Sequence, residues 1–243
     1  MARLLKTWVA DPSECAYLPE RTASLQYRLM VDVTAEELDG LLERGWRRFG
    51  PAYFRPKCPA CQECVPIRVP VSTFRMSKQQ RRVWNKGRDL TLRVGPPRID
   101  DDRIDLYDRW HSDRAARRDW EHDRIDPAQY YHQFAFPHPS IREFAYWDGD
   151  ELVGIAIVDA TPKALSAVYT FYDPNHRGLS LGTYSILTQI DQARRAGRPF
   201  VYLGYRVLGC ASSEYKARFR PHELMVRWAE EDEAPVWAPE NDR

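Results

Sequence analysis

Residues 165–182 read LSAVYTFYDPNHRGLSLG, a stretch rich in aromatic and β-branched side chains that breaks at Asp173-Pro174 and ends among small residues. The first eight positions predict a strand. Asp-Pro then predicts a turn, because proline has no N–H to continue a ladder. Beyond it, Leu181, Tyr184, Leu187 and Ile190 recur at helical spacing, and Gly197 suits a left-handed C-terminal cap. A strand that feeds a short loop and then a long helix aims the loop at a helix N-terminus, where free amides and the helix dipole receive anions.

The flanking segments extend this unit. Residues 141–147 and 152–159 read as strands around Asp148-Gly149, a strong hairpin signal, and residues 90–94 and 104–118 read as a strand and a helix. Residues 200–206 and 224–228 supply two more strands. The order predicts an α+β fold: a mixed sheet with flanking helices, of the acetyltransferase-like (GNAT-like) kind. Upstream, Thr34 and Glu37 form a capping box that opens a helix bearing Leu38, Leu41, Leu42 and Trp46, and Ser77 with Gln80 forms a second. Residues 65–71 alternate, but Pro66 and Pro70 predict an edge strand. The expected division is a small N-terminal domain over residues 1–75 and a GNAT-like domain over 76–235, with the acidic, proline-containing tail after Ala229 frayed.

The 243 residues carry 36 basic and 35 acidic side chains, so binding to nucleic acid has to be local. Lys78, Arg81, Arg82 and Lys86 lie in a stretch from Arg75 to Arg88 without an acid, fit to meet phosphate, and Trp84 adds an aromatic face. A surface helix with Val83 and Trp84 in the core is the reading that composition alone favours. No export signal or membrane-long apolar run is seen, which predicts a cytoplasmic protein with no membrane partner. Five cysteines then point to reduced thiols or a metal rather than disulfides.

Arg177-Gly178-Leu179-Ser180-Leu181-Gly182 nearly matches the acyl-CoA loop pattern Arg/Gln-x-x-Gly-x-Gly/Ala, with Ser180 where glycine is wanted. Ser180 could instead cap the helix. Cys58, Cys61 and Cys64 at two-residue spacing, with Cys15 as a fourth ligand, are candidates for zinc or an iron-sulfur cluster. No nucleophile elbow is present, and His111 and His122 read as solvent-facing.

Three N-terminal stretches carry a resemblance: Cys15-Ala16-Tyr17-Leu18-Pro19-Glu20-Arg21, the run from Phe54 through the three cysteines to Val69, and Phe74-x-x-Ser77-Lys78. So do Tyr169-x-Phe171-Tyr172-Asp173-Pro174, Tyr202-Leu203-Gly204-Tyr205 and Tyr215-Lys216-x-x-Phe219. Together they resemble the arginyl-tRNA–protein transferase family over nearly the whole chain. Leu18, where longer relatives carry another cysteine, is similar to its short bacterial branch. The resemblance implies leucine moved from leucyl-tRNA to the α-amine of proteins beginning with Asp or Glu, marking them for degradation, with no cofactor required for transfer. It also implies that Arg177, Ser180 and Gly182 lie near the tRNA acceptor end.

An aminoacyl ester is already activated, so positioning should dominate over covalent catalysis. On that reading Asp173 orients or deprotonates the ammonium, Tyr172 or Tyr205 donates to the oxyanion, and Lys216 balances its charge. An acidic first side chain calls for a guanidinium, expected from Arg21, Arg55 or Arg75. Arginyl transfer, acyl-CoA-dependent acetylation and a metal-dependent binding module are the alternatives. Offering Leu-tRNA, Arg-tRNA and acetyl-CoA separately would distinguish them.

Overall fold

The computed structural model describes residues 1–118 and 121–240. The chain opens with β1 (Arg3–Val9), a small hairpin of β2 (Ser13–Glu14) and β3 (Thr22–Ala23), and β4 (Leu25–Val31). α1 (Ala35–Glu43) starts at the expected capping box, the Thr34 hydroxyl accepting from Glu37 N and the Glu37 carboxylate from Thr34 N. β5 (Arg47–Phe49) and β6 (Ala52–Pro56) complete a four-stranded sheet ordered β1-β4-β6-β5. Sequence patterning missed this sheet because β1 is almost wholly exposed and β4 uniformly half-buried, so neither alternates.

Next come β7 (Cys64–Pro70), α2 (Lys78–Gly87), β8 (Thr91–Gly95), α3 (Asp101–Arg118), α4 (Pro127–Tyr130), β9 (Ile141–Asp148), β10 (Glu151–Ala160) and β11 (Ala164–Tyr172). α5 (Leu181–Arg195), β12 (Phe200–Val207), α6 (Ala211–Glu214), β13 (Glu223–Met225) and β14 (Trp237–Pro239) finish the fold. The strands from β7 onward form one mixed sheet ordered β14-β13-β7-β12-β11-β10-β9-β8. α2 and α5 cover one face through Val83, Leu181, Tyr184 and Leu187, and α3 covers the other through Ile104, Leu106 and Trp110. The α+β, acetyltransferase-like architecture expected from the element order is the one that forms.

Two expectations are overturned. β7 is interior, paired with β12 on one side and β13 on the other. Val71 N donates to the Pro199 carbonyl, so odd-numbered amides of β7 face β12 and the Pro66 and Pro70 nitrogens face β13. β13 reaches only Ile67 and Arg68, so neither proline interrupts a ladder. The tail after Ala229 is not frayed: β14 pairs with β13, and Glu240 forms ion pairs with Arg206 and Arg220. Because β7 lies within the first 75 residues, that segment contributes a strand to the larger sheet.

β11 and β12 run parallel and bonded over only three residue pairs, from Ala164↔Phe200 to Ser166↔Tyr202, and then part. Beyond that point β11 keeps β10 and β12 keeps β7, leaving a wedge-shaped gap in mid-sheet. The smaller sheet closes it from one side. Its anchor is Arg48 on β5, whose Nε donates to Asp159 Oδ2 on β10 at 3.1 Å, both side chains being almost fully buried. Removing one member of such a pair strands a buried charge. Asp159→Ala should therefore destabilise by about 3–5 kcal/mol in urea unfolding, whereas replacing both Arg48 and Asp159 with apolar residues should cost far less.

Candidate active site

Arg47, the first residue of β5, points its guanidinium into the wedge. Nη2 donates to the Ala167 carbonyl, a β11 group left free where the strands part. A Cβ at Gly204 on β12 would sit 2.8 Å from Arg47 Nη1, and Gly204 has φ +79°, so glycine is required there twice over. Nη1 itself is buried and has no hydrogen-bond partner among the described residues. Burial is the main influence lowering the Arg47 pKa, and Tyr205, Asp159, Tyr17 and Tyr215 are near enough to act on its charge.

Lys216, beyond α6, enters the same region. Its Nζ donates to the Tyr205 carbonyl at 2.6 Å. Burial first and Arg47 second push its pKa down to about 7. Among the described residues neither Arg47 nor Lys216 forms an ion pair, and the carboxylate that Arg47 senses, Asp159, is held by Arg48. The floor of the wedge therefore carries positive charge that the described residues do not neutralise.

At the mouth, Trp110, Arg114 and Arg117 of α3 meet Tyr172 and Arg177 around a cavity of about 230 Å³. The Trp110 and Tyr172 rings lie 4.1 Å apart, Arg114 covers Trp110 at 5.2 Å, and Arg117 and Arg177 share Asp113. A second cavity, about 240 Å³, shares Trp110 and Arg114 and adds His111, Tyr169 and Thr170. Tyr215 links floor and mouth, since it senses Tyr172, Arg47, Tyr17 and Arg114 together.

Ser180 takes φ +54°, the left-handed conformation for which the acyl-CoA pattern uses glycine, and its side chain does not cap α5. The capping role considered for it is thus absent, and the α5 N-terminus keeps no side-chain cap. Gly182 lies beside Tyr172: an added Cβ would come 3.6 Å from the ring.

Other expected residues fall differently. Both oxygens of Asp173 are engaged, Oδ1 by Asn175 N at 2.8 Å and Oδ2 by Arg109 at 3.0 Å, so its buried carboxylate fastens the turn to α3. Tyr205 spends its hydroxyl proton on the Gly45 carbonyl at 2.8 Å, tying β12 to the turn before β5. Arg55 is saturated by Gln26, the Ala229 carbonyl and Glu230, and lies over Trp46. Arg75 is exposed and bonds only neighbouring carbonyls, at Ser72 and Phe74. Arg21 is exposed on the loop that also carries Tyr17. His111 is not solvent-facing: its Nε2 meets the Tyr169 hydroxyl at 2.8 Å. No local pattern in the sequence marks Arg47, an isolated arginine that becomes important only across strands, and Arg114 and Arg117 sit in a run of α3 that reads as a charged helix surface.

The four cysteines approach one another around Cys64, which senses Cys58, Cys15 and Cys61, but burial pushes its thiol up to about 12. A tetrahedral zinc site brings sulfurs to roughly 3.8 Å from one another. Among the described residues the one ligand trio within 4.8 Å is Glu151, Asp173 and His176, and no trio of cysteine sulfurs gathers that closely. Cys58 is held instead by the Ser24 backbone. As arranged, no three of the thiols stand at the separation a shared metal ion requires.

On α2, Lys78, Arg81, Arg82 and Lys86 are all exposed, Lys86 donating to the Gly178 carbonyl at 3.1 Å. Trp84 leans on Tyr184 of α5 at 5.8 Å, so it belongs to the packing, as the surface-helix reading had it. The basic face of α2 thus continues into the Arg177 loop and the α5 start.

A splayed mixed sheet with a cationic wedge beside an uncapped helix start is the framework of an acyl-group transferase. Models of the arginine-tRNA-protein transferase match the chain, the N terminus over residues 13–82 and the C terminus over 102–226. An aspartate/glutamate leucyltransferase of Pseudomonas fluorescens is 38% identical over 231 residues, covering 92% of this chain and 96% of that one. Another, from Helicobacter hepaticus, is 32% identical over 96% of this chain and 97% of its own. The crystal structure of FemX superposes with a TM-score of 0.51 over 90% of this chain and 85% of that one, at 9% identity, a likeness of fold alone. The chain belongs to the arginine-tRNA-protein transferase family, on its aspartate/glutamate leucyltransferase branch. It is an aminoacyltransferase, acting on aminoacyl-tRNA and protein. No helix among the described residues is long and apolar enough to cross a membrane.

Reversing Arg81, Arg82 and Lys86 to Glu should weaken tRNA binding and flatten its salt dependence, lowering the slope of log Kd against log salt by about 2–3. A filter-binding series across salt concentrations measures it.

Proposed function

We propose that this chain transfers leucine from leucyl-tRNA to the α-amine of proteins whose first residue is Asp or Glu. The observation that carries the reading is the pair of half-buried cations, Arg47 and Lys216, which have no carboxylate of their own among the described residues. A buried charge is costly unless paired, so the wedge is complementary to an incoming acid. An Asp or Glu side chain would complete the guanidinium's hydrogen bonds, while Lys or Arg at that position would add a third cation. Arg21, exposed on the loop that carries Tyr17, would draw the acid inward.

The acceptor end of the tRNA lies along the basic face of α2, the Arg177 loop and the uncapped start of α5. Its terminal nucleotide sits by Trp110, Arg114 and Tyr172, where guanidinium and aromatic faces suit phosphate and base. Tyr172 lies between tRNA cleft and wedge, half-buried and flanked by Arg114, Arg117 and Arg177. Its hydroxyl is the donor best placed for the tetrahedral oxyanion, with the arginines sustaining the negative charge. The amine attacks the leucyl carbonyl and the ribose oxygen leaves. No enzyme-bound intermediate is needed, because the ester is already activated and binding supplies proximity.

The reading is tested by offering labelled Leu-tRNA, Arg-tRNA and acetyl-CoA with peptides that differ only at residue one. Label should pass from Leu-tRNA to Asp- and Glu-peptides alone; equal labelling of Lys- and Arg-peptides would overturn it.

Lys216 adds a pH signature. As pH rises through about 7 it loses its proton in the folded enzyme and with it part of the attraction for an acid. KM for an Asp-peptide should therefore climb above that pH. Stability moves the other way: between about 7 and the ordinary value of 10.5 the unfolded chain holds the proton and the folded one does not, so stability rises with pH through this window. Lys216→Met should raise Tm at pH 6 while raising KM for Asp-peptides about tenfold or more, consistent with loss of a charged hydrogen bond. Thermal unfolding and initial rates on the same preparation check both halves.

A further inference from the structure

Transfer needs a base to take the proton from the α-ammonium, and the Asp173 carboxylate is tied to Asn175 N and to the Arg109 guanidinium. The wall shared by β11 and α3 offers another route. Tyr169 is half-buried on β11, and its hydroxyl lies 2.8 Å from His111 Nε2 on α3. His111 Nδ1 lies 2.9 Å from the Tyr107 carbonyl. A carbonyl only accepts, so Nδ1 carries the hydrogen of the neutral ring and Nε2 presents its lone pair. The Tyr169 hydroxyl is then the donor between them, and among the described residues no donor occupies its lone pairs, which can receive a proton from elsewhere.

The pair is held firmly. The Tyr107 ring stacks on His111 at 3.8 Å, and Tyr169 is packed by Phe49 at 6.1 Å and Phe134 at 5.3 Å. Tyr169 and His111 line the cavity of about 240 Å³ that shares Trp110 and Arg114 with the Tyr172 cleft. Tyr169 also senses Tyr17 and Arg114, so it faces the space between wedge floor and cleft. The charged and titratable groups around His111 are His122, whose ring lies 5.3 Å away, Arg114, Asp108 and Tyr107. Burial is the first cause that lowers the His111 pKa, which keeps the ring neutral and able to accept.

We infer that Tyr169 is a catalytic residue of the transfer reaction and His111 the proton acceptor behind it. This rests on the leucyl-transfer reading. The α-ammonium gives an N–H proton to Tyr169 Oη as the Tyr169 proton passes to His111 Nε2, leaving a free amine and an imidazolium. The amine lone pair forms the C–N bond to the leucyl carbonyl. The C–O bond to ribose then breaks, and the departing oxygen takes the second N–H proton. His111 returns its proton to water, and Tyr169 ends as it began.

The test uses the full-length enzyme, leucyl-tRNA and two acceptors in single-turnover assays. One is an Asp-peptide; the other carries an aminooxy group in place of the α-amine, a nucleophile unprotonated at neutral pH. Tyr169→Phe keeps the ring and removes the hydroxyl. His111→Gln keeps an acceptor for Tyr169 but has no basicity. The relay predicts that each variant loses about 10²-fold or more on the Asp-peptide, the range typical of a general base. On the aminooxy acceptor each should stay within about threefold of wild type, well below that range. Equal loss on both acceptors, or wild-type rates on the Asp-peptide, would overturn the relay. Thermal unfolding identifies a variant that fails to fold, and the other variant then decides. If wild-type enzyme labels neither acceptor, the leucyl-transfer reading itself fails and the relay falls with it.

Discussion

β11 and β12 hold each other for three residue pairs and then separate, and Arg47 occupies the gap. A sheet opened in its middle exposes backbone groups that have to find other partners. One of them, the Ala167 carbonyl, is satisfied by Arg47 Nη2, and Gly204 supplies the space for the guanidinium. The position of Arg47 depends in turn on the smaller sheet: Arg48, the next residue, is fixed to Asp159 on β10, and Tyr205 on β12 is fixed to the Gly45 carbonyl. The N-terminal segment is therefore part of the active site's construction, and β7 carries it into the larger sheet.

The same construction sets the electrostatics. Fixing Arg48 on Asp159 uses a carboxylate that Arg47 senses, so among the described residues Arg47 and Lys216 remain without an ion pair. Such an arrangement works against stability, since half-buried cations lower each other's proton affinity and lose part of their hydration. It is retained where an acid is to be bound, because a site that satisfied itself internally would have to break those bonds to accept a ligand. Arg55 illustrates the contrast: saturated by Glu230 and the Ala229 carbonyl, it holds the C-terminal segment against the smaller sheet and has nothing left to offer.

Much of the fold was legible where local rules operate. The capping boxes at Thr34 and Ser77 open helices as expected, and the turn at Asp148-Gly149 has its glycine at φ +58°. The strand-loop-helix unit at residues 165–182 was legible too, because period, proline and helix spacing agree there. β7 was misjudged because prolines count against an interior strand only where both neighbours need their amides, and the shortness of β13 is a tertiary fact. The site was read less well for a related reason. Motif reading favoured residues inside conspicuous stretches, such as Asp173, Tyr205 and Arg55, which prove to be fastened by hydrogen bonds. Arg47, Tyr169 and His111 acquire meaning only when β5, β11 and α3 are brought together. Ser180 is intermediate: its departure from the glycine pattern was visible, but not that serine would adopt glycine's conformation.

Charge connects recognition of the acceptor to its activation. A site lined by Arg47, Lys216 and Arg114 repels cations, and the α-ammonium of every acceptor is a cation. An acidic side chain offsets this by bringing its own negative charge to the floor of the wedge. The cationic field that remains near the amine lowers its proton affinity and favours the nucleophilic form. A neutral side chain at residue one would meet the repulsion without the compensation, and a basic one would double it. On the proposed reading, selectivity for Asp or Glu and generation of the free amine are two results of one uncompensated pair of half-buried charges, and a change that neutralised the wedge would weaken both together.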